Sequence, residues 1–172
     1  MFAPVRQILM MTVFAAGVFA APVPAAEVTS SALSPSTDAS PVLTLHSADV
    51  HRPISRAAIE QSPLYEVVLQ HFEGPKGSFA GVWLDDFLEA QEIDVSATLR
   101  FIAHDDYTTF ITPEDRAAKR YLLVTRLDGK SLTRNEFGPT MLIIPEDAEA
   151  VEAGTESMTP WIWSIKDIYL QQ

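Results

Sequence analysis

The chain contains no cysteine among its 172 residues. That absence excludes disulfides, thiolate zinc sites, iron–sulfur clusters and cysteine nucleophiles. Histidine is scarce, with only 4 residues, which narrows the metal chemistry open to the chain. Bases are outnumbered: Lys+Arg 12 stand against Asp+Glu 23, a formal net charge of −11. Binding the phosphate backbone needs a basic face, so no nucleic-acid partner is expected. A Gly-x-Ser-x-Gly elbow, a phosphate loop and a dinucleotide fingerprint are all missing. What is present is an apolar share of 47%, too high for a disordered chain, and a length suited to one domain.

The first residues read as an address. Met1-Phe2-Ala3-Pro4-Val5-Arg6 is a short basic region, followed by an apolar run from Ile8 to Ala21 and the small residues Val23-Pro24-Ala25-Ala26. This is the pattern of a secretory signal peptide over residues 1–26, cut after Ala25 or Ala26. The run falls short of the about 20 apolar residues that cross a bilayer, so no membrane anchor is expected after cleavage. The segment has no Cys for lipid attachment and no Arg-Arg pair for folded export. The expected location is periplasmic or secreted. Residues 27–41, rich in Ser, Thr, Ala and Pro, read as a flexible linker, and residues 42–172 as the domain.

Within that domain, alternation predicts strands over Val42–His46, Leu64–Phe72, Leu99–His104, Tyr107–Ile111, Tyr121–Leu127, Met141–Ile144 and Trp161–Leu170. Ser55 is placed to cap a short helix over Arg56–Gln61. Trp83, Leu84, Phe87 and Leu88 fall at helical spacing and predict a helix over Leu84–Gln91. Pro113 suits the first position of a helical turn. Asp128-Gly129 is the strongest hairpin signal, and Glu146–Thr159 reads as an acidic loop with a helical turn. Strands not regularly interleaved with long helices make this an α+β domain.

The order of motifs resembles the sulfite-oxidase-type molybdopterin-binding domain family. The residues that carry it are Gly81-Val82-Trp83-Leu84-Asp85-Asp86-Phe87-Leu88, then Phe101 to Tyr107, Leu127-Asp128-Gly129-Lys130-Ser131-Leu132, Gly138 to Pro145, and Trp161 to Ile168. The resemblance implies a mixed β-sheet, barrel-like core with short helices, and it makes molybdopterin a possible cofactor. The chain also departs from the family. Family enzymes hold molybdenum through a cysteine thiolate ahead of the Gly-Val-x-Leu helix, and Tyr65–Gly77 has none. The glycine of the family's Asp-Gly-Tyr element is replaced by Asp106, a carboxylate that would repel a pterin phosphate. Thr140-Met141-Leu142 follows Gly138-Pro139 where the family often has Arg.

Three groups of residues carry candidate chemistry. His104, Asp106 and Tyr107 are catalytic candidates as base, orienting acid and donor, though a plain strand–turn–strand explains them too. Arg52, Arg126 and Arg134, with Gly138, are candidates for an anion site, since convergent guanidinium groups hold oxyanions bidentately. If the three arginines line one cavity, anion or cofactor binding gains support; if they scatter, it loses support. His46, His51 and His71 fit no tight metal motif, and no metal site is assigned. The expectation is an exported binding or sensor module without a resident cofactor. It would take a small anionic ligand or a periplasmic or membrane signalling or redox partner. The alternative is an oxidoreductase holding molybdopterin or another redox cofactor without a cysteine ligand. A weaker third reading, a copper or haem carrier, requires two or more His within ligand distance of one point.

Overall fold

The computed structural model describes residues 26–48 and 50–171. The signal-peptide reading of residues 1–26 therefore lies outside the described residues, save for Ala26. Among the described residues, twelve strands and four short α-helices form a mixed fold. The first sheet contains β1 (Val28–Ser30), β4 (Leu64–Gln70), β5 (Lys76–Trp83), β8 (Leu122–Leu127), β10 (Met141–Ile143) and β11 (Ile162–Trp163) in that spatial order, and β9 (Lys130–Ser131) pairs with β8. The second sheet runs β3 (Val50–Ser55), β2 (Pro41–Ser47), β12 (Ile165–Gln171), β6 (Thr98–Ala103), β7 (Thr108–Ile111). The helices are α1 (Arg56–Ile59), α2 (Leu84–Ala90), α3 (Pro113–Ala118) and α4 (Ala148–Glu152). Among the described residues no helix is long and apolar enough to cross a membrane.

One apolar cluster is shared by both sheets, with Leu45, Phe101 and Ile168 from one and Phe79, Leu123 and Leu142 from the other. Among the described residues the sheets are open, and no closed barrel forms. The chain passes from the first sheet to the second at Ser164. The spacing predicts one strand over Trp161–Leu170, but Ser164 takes a left-handed φ of 52°. The chain breaks there, ends its ladder with β10 and starts a new one in the second sheet. The sheets thus share a core without sharing a ladder.

The predicted local signals act as expected in several places. The Ser55 side chain accepts the Ala58 amide at the start of α1. Thr112 and Asp115 form a reciprocal capping box around α3, with Pro113 at its start. Asp128 (φ 48°) and Gly129 (φ 73°) form the two-residue turn between β8 and β9, the left-handed pair such hairpins require. Gly129→Ala puts a side chain into that region and should cost about 1 kcal/mol, read as a lower urea midpoint with an unchanged slope.

Composition reads residues 27–41 as a flexible linker, and the structure differs. β1 pairs antiparallel with β4, from Val28 opposite Val67 to Ser30 opposite Tyr65. Farther along, the Ser36 amide donates to Glu60 Oε2 at 2.6 Å, Arg126 Nη2 donates to Ser34 O at 2.9 Å, and Arg56 pairs with Asp38 at 2.8 Å. Backbone ladders and ion pairs need no apolar side chains, so low hydrophobicity does not reveal this anchoring.

Candidate functional site

The outer face of the second sheet carries a group of polar and aromatic side chains that includes His46, Asp167 and Tyr169. Along β2, Leu43 and Leu45 point into the core while Thr44 and His46 point away, as strand alternation requires. β12 is bulged between Ile165 and Asp167. The bulge leaves Lys166 exposed and turns Asp167 toward His46.

At one end of this face lies a cleft of about 380 Å³, lined in part by His104, Arg134, Pro139 and Lys166. Local structure explains why these residues meet. Thr133 caps a 3-10 turn over Arg134–Glu136, and the Glu136 carboxylate is taken up by the Thr133 amide (3.1 Å) and hydroxyl (2.6 Å). The acid nearest Arg134 in sequence is therefore occupied. Among the described residues Arg134 makes no ion pair with a carboxylate. Its Nη2 instead donates to His104 Nε2 at 3.2 Å. Phe137 (φ 66°) and a cis Gly138–Pro139 bond then turn the chain. Gly138 passes so close to the preceding loop that a Cβ would sit 2.5 Å from Leu132 O. The Ser164 backbone locks the two halves: its N–H donates to Phe137 O at 2.7 Å, and its carbonyl accepts the His104 amide at 2.9 Å.

Arginine only donates, so His104 Nε2 is the acceptor and the ring proton sits on Nδ1. Burial pushes the His104 pKa below its ordinary 6.5; Arg134 and Lys166 push the same way, against Asp167 and Asp105. At neutral pH the cleft thus holds two full positive charges and one neutral imidazole. Lys166 Nζ lies 3.6 Å from Asp167 Oδ2, a loose pair on an exposed side chain.

The other expected site residues lie elsewhere. Arg126 is engaged with Glu60, and Arg52 donates to Gln91 O at 2.8 Å while lining a separate cleft of about 870 Å³ beside Glu92 and Asp94. The three arginines do not share a cavity, and His104 and Lys166 join Arg134 instead. The catalytic grouping also comes apart. Asp106 occupies an exposed turn at φ 67°. The Tyr107 hydroxyl donates to Thr159 O at 3.0 Å, and its ring lines a small apolar cleft with Met158, Trp161 and Trp163. Neither meets His104, because the sharp turn after Ala103 sends successive side chains to different surfaces. Lys166 was not singled out from sequence; its only signal is that bases are rare and this one ends the Trp-Ile-Trp-Ser-Ile stretch.

The histidines divide. His71 is buried among aromatics, away from the other two. His46 and His51 are direct cross-strand partners, with their Nδ1 atoms 2.6 Å apart. The donor set does not fit molybdenum held in the manner of the family, because no thiolate exists anywhere in the chain. No protein-family model matches this chain, and no curated protein matches it.

Proposed function

We propose that this is an exported binding module of the sulfite-oxidase-type molybdopterin-domain kind, working without the molybdenum ligand and binding a small oxyanion or carboxylate. The single observation that carries the reading is the convergence of His104, Arg134 and Lys166 on one open cleft. Arg134 presents guanidinium donors suited to bidentate recognition of an oxyanion. Lys166 adds a second charge, and His104 adds an N–H donor through Nδ1. In a chain of net charge −11, two cations lining one cleft give an anion a local point of attraction. The family resemblance and the leader pattern support the fold and export parts of the reading. Fold alone licenses no activity.

The test is a titration of the purified protein with inorganic phosphate and with sulfate at low ionic strength. Saturable binding is expected. Arg134→Ala should weaken it about tenfold or more, the scale of one lost charge-assisted hydrogen bond. Bound anion favours protonated His104, whose free pKa lies below 6.5, so affinity should rise as pH falls below that value. Equal, unsaturable behaviour of the native and Arg134→Ala proteins would overturn the reading. A stoichiometric molybdenum content would replace it with the oxidoreductase alternative.

A further inference from the structure

A row of side chains crosses the outer face of the second sheet from strand to strand. His51 on β3 faces His46 on β2, His46 faces Tyr169 on β12, and Tyr169 faces Arg100 on β6. The His46 ring stacks on Tyr169 with centroids 4.0 Å apart and planes at 7°, and the Arg100 guanidinium lies 4.4 Å from the centre of the Tyr169 ring. His46 Nε2 is bonded to Asp167 Oδ1 at 2.7 Å. The ring is thus held in plane by the stack and in rotation by the carboxylate. An ionised carboxylate only accepts, so Nε2 carries the proton and His46 Nδ1 presents a bare lone pair. That lone pair points at Nδ1 of His51, an exposed residue.

We propose that His46 and His51 form a binding site for a divalent late transition ion, Cu(II) in first place. In the metal-free protein one proton shared between the two Nδ1 atoms satisfies the pair. A metal ion replaces that proton, and the His51 proton moves to its Nε2. Two cis imidazole nitrogens, each about 2.0–2.1 Å from the ion in a tetragonal field, lie about 2.9 Å apart. The observed 2.6 Å contact has to open, and the exposed His51 ring has to swing aside so that both lone pairs meet at the ion rather than at each other. Tetrahedral Zn(II) would demand a wider separation. Imidazole suits Cu(II), which also stands highest in the divalent affinity order. The Asp167–His46 bond is the carboxylate–histidine arrangement that orients metal-bound imidazoles and raises their basicity. Among the described residues no third His, Cys, Asp or Glu completes the group.

The test is a titration of the purified protein with Cu(II), followed by calorimetry and electron paramagnetic resonance. One equivalent should bind with nitrogen splitting from two imidazoles. His51→Ala, at an exposed position, should leave the circular dichroism unchanged, reduce the splitting to one imidazole and weaken binding at least tenfold. Asp167→Asn should weaken binding about tenfold or more while keeping both nitrogens in the spectrum. Cu(II) uptake with the same affinity and spectrum in the native and His51→Ala proteins would overturn the proposal, as would no stoichiometric uptake by the native protein.

Discussion

Glu60→Ala should lower the unfolding free energy by about 3–5 kcal/mol, the cost of removing one partner of a buried ion pair. Glu60 is fully buried, and its carboxylate is saturated. It accepts from the Ser36 amide at 2.6 Å, the Thr125 hydroxyl at 2.7 Å, Arg126 Nε at 3.0 Å and Arg126 Nη2. Burial alone would raise the Glu60 carboxyl; the bonds from Arg126, Thr125 and Ser36 outweigh it and hold the group below its ordinary 4.5. Its contribution is therefore present above pH 4.5 and is lost as pH falls below that value. The alanine variant leaves the Thr125 hydroxyl without its acceptor, strips Arg126 of its carboxylate partner and removes the Ser36 tie, while Arg126 still donates to Ser34 O and Arg56 still pairs with Asp38. At about 2–4 °C per kcal/mol for a chain of this size, the melting temperature should fall by on the order of 10 °C. Hydrogen exchange should also speed up at the Ser36 amide. Glu60→Leu combined with Arg126→Met should be less damaging than either change alone, because it removes both charges together. A loss below about 1 kcal/mol in Glu60→Ala would show that the pair is solvated rather than buried.

The same residues show what the sequence makes legible. α2 was readable because Leu84, Phe87 and Leu88 repeat at helical spacing, and all three are buried. The β8–β9 turn was readable from two adjacent residues. β5 was not, since Lys76-Gly-Ser-Phe-Ala-Gly-Val-Trp lacks alternation: its last five residues are buried whatever their parity, as in a central strand between β4 and β8. β1 was hidden because a ladder made by backbone groups leaves little trace in side-chain pattern. The candidate cleft was half legible. His104, Arg134 and Gly138 lie beside it, but Arg52 and Arg126 are drawn away by Gln91 and Glu60. Lys166 enters only through the β12 bulge. The His46–Asp167 bond spans 121 positions and depends on the parallel pairing of β2 with β12. Sequence spacing says nothing about pairings of that kind.

Acidification from pH 7 to pH 4 should cost about 3 kcal/mol through His71 alone, at about 1.4 kcal/mol per pKa unit. His71→Phe should abolish that part of the pH dependence. His71 is 1% exposed and is ringed by Phe72, Phe137, Trp161 and Trp163, with ring centroids between 4.7 and 5.6 Å away. Its Nδ1 accepts the Glu73 amide at 3.3 Å, a bond only the unprotonated nitrogen can make. Burial pushes its pKa down from 6.5 to about 4. Below pH 6.5 the unfolded chain binds a proton that the folded chain refuses, so stability falls with each unit until the folded state also titrates near 4. Glu60 acts in a different window, below pH 4.5, so the two groups separate in a pH series. Phenylalanine keeps an aromatic ring in the cluster, and the one amide that loses its acceptor belongs to Glu73, an exposed residue. The decisive quantity is therefore the slope of stability between pH 6.5 and 4.5, not its value at pH 7. Urea unfolding at half-unit steps should show a falling line for the native protein and a markedly shallower one for His71→Phe, its remaining slope coming in part from His104, whose pKa is also lowered by burial. Parallel lines would mean that His71 protonates inside the fold, and that this aromatic cluster is open to water.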